Sequence, residues 1–305
     1  MQRQALDFRA SSIMFVLCIF WGLQQVVLKM AAADISSLMQ IALRSGISAL
    51  LVWPLIRMQA GQSMWQAEYR WAGLLAGALF AFEFFLIAQA LRFTSASHTV
   101  MLLYTAPIFV ALALHYKLPA ERLSALQWSG IALAFLGVVV TFMGRSTDQS
   151  LNSMLWGDLL ALLGSLFWAA TTVTVRLTKL SEAPATLTLF YQLLGGFLLL
   201  FPLTFVLGQA EIHWTSLAIG SLIFHSLIIS FASYLIWFWL LKHYLASRLG
   251  VFSFLTPLFG MVFGVLLLNE KIETNFIIGT VLVMLGVFLV SMQTWIQQKW
   301  RLLRA

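Results

Sequence analysis

Charge is what this 305-residue chain has least of: only 10% of its residues are Asp, Glu, Lys or Arg, against roughly 25% in a soluble globular domain. The 61% hydrophobic content excludes a water-soluble fold and leaves an integral membrane protein. A single cysteine, Cys18, excludes an intrachain disulfide. No H-E-x-x-H or other clustered metal-ligand spacing occurs, so no metal and no cofactor are expected. Nucleophile elbows and phosphate-binding loops are equally missing, which argues against a hydrolase and an ATP-driven pump. The alternating segments of a membrane barrel are absent too.

What is present is a series of apolar runs, each near the ~20 residues that cross a bilayer as a helix. They fall at Ser12–Met30, Ser36–Ile56, Trp71–Leu91, Ser97–Tyr116, Ser124–Met143, Leu155–Leu177, Pro184–Leu207, Leu217–Leu241, Ser247–Leu268 and Thr274–Thr294. The expected fold is an all-α polytopic membrane protein with ten transmembrane helices. Arg3, Arg9 and the Ala31-Ala32-Ala33 run imitate a secretory signal. Phe20-Trp21 followed by Lys29 recurs, however, as Phe167-Trp168 followed by Arg176, so the first run belongs to the fold.

That recurrence is general. Pro107 and Pro257, Glu121 and Glu270, and the pairs Gly130/Gly137 and Gly279/Gly286 are all displaced by about 150 residues, the mark of an internal repeat. Pro54 and Pro202 extend it, as do Ala96-Ser97 and Ala246-Ser247. Each unit then holds five spans, residues 1–145 and 146–305. A second copy after an odd number of crossings enters from the opposite face, giving two inverted five-helix repeats, the plan of a secondary transporter. Gly73/Gly77 and Gly260/Gly264 supply close-packing G-x-x-x-G spacings. Pro107 and Pro257 are candidate gate hinges, or static bends that shape a cavity.

The net charge of +7 does not imply nucleic acid, because the basic residues sort by side. Arg57, Arg70, Lys117, Arg176, Lys179, Lys242 and the basic termini fall on one side, whereas Lys29, Arg92, Arg145 and Lys271 fall on the other. This places both termini in the cytoplasm.

Leu159–Ala169 (LLALLGSLFWA), Ser233–Leu241 (SYLIWFWLL), Ala246–Gly260 (ASRLGVFSFLTPLFG) and Leu268–Lys271 (LNEK) with Gly279 resemble the EamA-type branch of the drug/metabolite transporter superfamily. The resemblance covers about Ser12 to Met292. It implies ten helices in two inverted repeats and export of amino acids or other small metabolites across the bacterial inner membrane. Arg44, Asp158 and Gln192 sit where that family commonly has such residues, and Glu83 is less typical of it.

Ionisable groups in hydrocarbon cost at least about 2.5–3.5 kcal/mol and therefore face the bundle interior. Arg44 and Glu83 both lie about 13 Å below the outer surface at 1.5 Å per residue. They can form a structural ion pair. Alternatively Glu83 titrates and Arg44 takes the carboxylate of an amino-acid-like substrate. The candidate pocket adds polar and aromatic residues at mirrored positions: Trp21, Gln24 and Gln25 against Trp168, Thr171 and Thr172, and Tyr104 against Phe254. Gln192, Ser230, Ser233 and Tyr234 supply further hydrogen-bonding groups, as a small-metabolite pocket requires. His98, His115 and His225 can relay protons, although isolated histidines are commonly satisfied by water or backbone.

The expected function is export of small metabolites by alternating access, with lipid as surroundings, protons as candidate coupling ions, and a monomer or homodimer as the unit. Proton-coupled efflux of lipophilic drugs is the alternative. A membrane-embedded lipid-modifying enzyme lacks a catalytic constellation, and a channel-like protein would lack saturable counterflow.

Overall fold

The computed structural model describes residues 8–58, 67–117, 123–142, 151–244, 253 and 255–303. Its helices are α1 Phe8–Met30, α2 Ser37–Met58, α3 Ala67–Phe93, α4 Ala96–Leu103, α5 Ala106–Lys117, α6 Ala125–Phe142, α7 Leu151–Leu177, α8 Ala185–Val206, α9 Ser216–Ile223, a π-helical segment Phe224–Ser233, α10 Tyr234–His243, α11 Leu255–Leu268 and α12 Thr274–Leu303. Among the described residues seven helical stretches are long and apolar enough to cross a membrane, with α4 and α5 counted as one and α9 joined to the π segment and the start of α10; Ala125–Val140, Leu255–Leu268 and Thr274–Gly286 are shorter apolar helices. The only β pairing among the described residues is an isolated antiparallel bridge, Ile35 to Ile212.

Two of the runs are interrupted. The run from Ser97 breaks just ahead of Pro107: α4 stops at Leu103 and α5 starts at Ala106. Pro107 thus stands in the first turn of a new helix, where its missing N–H has no partner to lose. The eighth run is not regular either, because ten residues in its middle are π-helical. Pro54 and Pro202 do lie inside α2 and α8, on exposed faces. Glu121, the twin of Glu270, falls outside the described residues.

Short polar side chains set the helix starts. Ser36 Oγ accepts the Met39 N–H at 3.1 Å, Ser95 Oγ the His98 N–H at 3.0 Å and Thr215 Oγ1 the Ala218 N–H at 3.1 Å, each satisfying an orphan donor. α8 ends on left-handed Gly208, φ 64°. The Gly208 and Gln209 N–H groups return to the carbonyls of Phe205 (3.2 Å) and Thr204 (2.7 Å), a Schellman closure.

Glycines bring backbones together and fix the relative directions of the helices. α6 and α12 run antiparallel: an added Cβ on Gly137 would sit 2.6 Å from Val283 N and 2.7 Å from Gly279 O, and one on Gly286 2.6 Å from Ala134 N. α3 and α7 are also antiparallel, with Gly157 against Phe93 and Thr94 and Gly164 against Glu83 and Ile87. α3 runs parallel to α8, with Gly77 facing Gly195 and Phe80 facing Gly196. α1 and α11 are parallel as well: Met14 and Leu17 pack near Leu255 and Phe259, and Leu28 near Phe263 and Leu268.

The loops at 31–36, 94–95, 207–215 and 269–273 gather at one end, here the upper end. There His213 N–H donates to Asp34 O at 2.8 Å and Thr215 Oγ1 to Asp34 Oδ2 at 2.6 Å. A crevice of about 290 Å³ opens between Asp34, Ser36, Arg92, Glu211 and His213. At the lower end Lys179 Nζ lies 3.5 Å from Glu68 and 3.4 Å from Glu182, all exposed.

Candidate functional site

Arg44 on α2 is completely buried, and everything around it answers to that. Its Nη1 donates to Gln24 Oε1 at 2.9 Å, and its guanidinium carbon stands 4.4 Å from the centre of the Phe84 ring. Glu83 and Tyr234 lie within its electrostatic reach. The direct Arg44–Glu83 ion pair that equal depth allows is not formed: the guanidinium hydrogen-bonds to Gln24 and stacks on Phe84 instead. Glu83 is 5% exposed. Among the described residues the guanidinium Nε and Nη2 have no hydrogen-bond partner. Those two nitrogens form one edge of the planar fork, the edge that accepts a carboxylate through two parallel hydrogen bonds.

Gln25 follows Gln24 on α1, and among the described residues the buried Gln25 Oε1 and the hydroxyls of Ser226 and Ser230 also have no hydrogen-bond partner. Unpaired buried polar atoms cost about 1–3 kcal/mol each. In a native fold such atoms mark places where a ligand or water completes the bonding.

The aromatic wall is also assembled. Tyr104, at the break between α4 and α5, meets Trp168 of α7 edge to face at 5.3 Å, and lies within electrostatic reach of Glu83, Tyr234 and Cys18. Trp21 Nε1 donates to Ser233 Oγ at 2.9 Å, and its ring meets Trp237 at 5.6 Å. Trp21 is thus brought onto Ser233, Gln24 onto Arg44 and Tyr104 onto Trp168, with Glu83 and Tyr234 within electrostatic reach of Arg44 and Tyr104. Thr171 and Thr172 are not so joined: their hydroxyls return to the carbonyls of Phe167 (2.9 Å) and Trp168 (3.1 Å) on their own helix, and Thr172 is exposed. Gln192 is half-buried on α8, and no contact ties it to the cluster. Phe254 lies outside the described residues. Pro257 is buried in the first turn of α11 and Pro107 half-buried in that of α5.

One group that isolated inspection undervalues is His225. Its Nε2 lies 3.0 Å from Gln24 O and its Nδ1 2.8 Å from Ser221 O. Ser221 Oγ donates to Gln40 Oε1 at 2.5 Å, and Gln40 Nε2 donates to the carbonyls of Leu28 (3.1 Å) and Ile35 (2.9 Å). A buried polar chain therefore runs from the upper loop to Gln24 and Arg44. Its signal in the sequence is a set of polar residues inside apolar runs, at Gln40, Ser221 and His225.

Comparison with known proteins gives this arrangement a context. The model of the EamA-like transporter family matches the chain twice, over residues 9–143 and 155–292. The chain is similar to the uncharacterised transporter YoaV of Bacillus subtilis (strain 168), 25% identical over 272 residues that cover 89% of this chain and 92% of the relative. It is 28% identical over 280 residues to a probable amino-acid metabolite efflux pump of Escherichia coli (strain K12), covering 89% and 91%. A solved crystal structure superposes with a TM-score of 0.66 at 17% identity, covering 93% of this chain and 96% of that one, a likeness of fold.

Proposed function

The chain belongs to the EamA-like transporter family, and from that premise we propose that it exports amino acids or closely related zwitterions across the bacterial inner membrane. It is a multi-pass membrane transporter rather than an enzyme, as its family and the names of its relatives indicate. The observation that carries the substrate class is the unpartnered Nε/Nη2 edge of fully buried Arg44. A substrate carboxylate satisfies that edge. The substrate ammonium finds Glu83 within reach of Arg44, and Tyr104, Trp168 and Trp21 enclose its side chain. The name of the Escherichia coli relative agrees with this reading.

In this proposal the repeats are residues 1–145 and 146–305, inverted with respect to each other, and ten crossings leave both termini in the cytoplasm. The antiparallel α6/α12 pair and the Pro54/Pro202 correspondence support it, as does the basic charge at the lower end. The upper end is then extracytoplasmic. Alternating access exposes the Arg44 site to one side at a time, with the helix starts at Pro107 and Pro257 as hinges. Protons are the candidate coupling ion.

Counterflow into proteoliposomes, with a panel of radiolabelled amino acids, is the test: saturable exchange with at least one amino acid is expected, and none with any would remove the substrate class. Glu83→Gln is expected to raise KM for amino acids roughly 10- to 100-fold, the weight of one hydrogen bond to a charged group, and to leave the matching 2-keto acids within about threefold, because these lack the ammonium. Equal effects on both would take Glu83 off the ammonium. Trp21→Phe, which deletes the bond to Ser233 and shrinks the ring that meets Trp237, is expected to slow exchange at least about 2- to 10-fold; unchanged exchange would remove Trp21 from the site.

An acidic group enclosed by aromatic rings also suits lipophilic cations, so efflux of cationic drugs is the second reading. Export of a cationic dye that survives Arg44→Lys, without amino-acid exchange, would favour it.

A further inference from the structure

The turn from α3 to α4 is gripped from three directions. Lys29 at the end of α1 donates to the Thr94 carbonyl. From α7, Asp158 accepts the Thr94 hydroxyl at 2.5 Å, and its second oxygen lies 3.2 Å from His98 Nδ1. From beyond α11, Glu270 accepts the Ala96 N–H at 2.6 Å, the Ser97 N–H at 3.1 Å and the Ser97 hydroxyl at 2.5 Å. A carboxylate in that place meets orphan donors and the positive end of the α4 dipole together.

The local backbone is shaped to deliver that carboxylate. Asn269 takes the left-handed region, φ 53°, which Asn tolerates better than most residues, and this turns the chain back so that the Glu270 N–H reaches Gly264 O at 3.1 Å. Gly264 is required for the approach: a Cβ there would run into Ser97 Oγ and the Glu270 carboxylate. Just below, α4 rests on α11, with Val100 (1% exposed) against Gly260. The Glu270 carboxylate therefore holds α11 onto α4 above the Arg44 site.

We propose that Glu270, seated by Gly264 and assisted by Ser97 and Lys29, is the lock of the extracytoplasmic gate: its bonds to the start of α4 must break before α11 and α4 part and the site opens upward. The proposal rests on the alternating-access reading above. Glu270 is a positioning residue; it touches no substrate and acts by setting which side of the protein is closed.

The test uses the full chain with Cys18→Ser and Val100→Cys, reconstituted in vesicles with the upper face outward and exposed to a membrane-impermeant maleimide. With Glu270 intact, Cys at 100 is expected to react slowly. Glu270→Gln is expected to speed labelling roughly 10- to 100-fold, the ratio corresponding to lost hydrogen bonds with a charged partner. Gly264→Ala leaves the charge in place but displaces it, and is expected to do the same. Ser97→Ala removes one bond of three and is expected to give a smaller rise of about threefold, which keeps the test open if the stronger variants fail to fold. Unchanged labelling in all variants that fold, with only lowered thermal stability, would overturn the lock and leave a plain helix cap. Labelling needs no substrate, so its failure is distinguishable from failure of amino-acid counterflow.

Discussion

Lysine in place of Arg44 is expected to abolish saturable amino-acid exchange, lowering kcat/KM by two orders of magnitude or more, in a protein that still folds. The guanidinium uses Nη1 on Gln24 and keeps the Nε/Nη2 edge unpartnered. Lysine preserves a positive charge for Glu83 and can keep the Gln24 bond, but it presents a point charge without the fork. Two hydrogen bonds to a carboxylate are then lost or distorted, each worth about 1.5–3 kcal/mol, which is where the hundredfold comes from. Alanine is the less informative change: it also empties the space against Phe84 and leaves Gln24 Oε1 without its donor, so stability and transport would fall together. Exchange by Arg44→Lys within threefold of the parent protein would show that no substrate carboxylate rests on this edge.

The largest expected loss of stability comes from a residue with no side chain. Gly195→Val puts a Cβ where Gly77 Cα and its carbonyl carbon lie 2.6 Å away. The obstacle is backbone on α3, so no rotamer relieves it, and α3 and α8 must part. We expect destabilisation at or above the upper end of the 1–3 kcal/mol usual for overpacking, read as a fall in thermal unfolding temperature and in yield of folded protein. Exchange should fail with it, because α3 carries Glu83 and Phe84. Gly220 is the control: nothing lies within 4 Å of a Cβ there, and Gly220→Ala should be neutral or stabilising by roughly 0.5–1 kcal/mol from helix propensity. Equal behaviour of the two variants would show that the α3–α8 contact is not backbone-limited.

Features that depend on one helix at a time were legible in the amino-acid order. Hydrocarbon excludes charge, so run length marked the helices, and the scarcity of ionisable residues singled out Arg44 and Glu83. Mirror spacing pointed to Trp21, which bonds Ser233, and to Tyr104, which meets Trp168. It also pointed to Thr172, which bonds back to its own helix instead, because a threonine in a helix can satisfy itself on its own preceding turn. Partner choice was not legible. Arg44 selects Gln24 rather than Glu83, His225 meets the carbonyl of a residue 201 positions away, and Glu270 reaches back to Ala96, because packing of several helices decides those distances. Proline interrupts the bonding whether the helix kinks or breaks, so the place of the break, between Leu103 and Ala106, was not legible.

The wide segment between Phe224 and Ser233 behaves as a screw thread with one surplus residue per turn. A backbone N–H in a π turn bonds five residues back, four in an α turn, so passing the surplus along the helix exchanges one acceptor for its neighbour and leaves no donor stranded at any step. Each such handover rotates everything beyond it. Ser221 and His225 sit at the upper edge of the thread, and Ser233 and Tyr234 at the lower. The segment thereby sets the rotation of the Trp21 and Arg44 partners at its lower edge relative to the Gln40 chain at its upper edge.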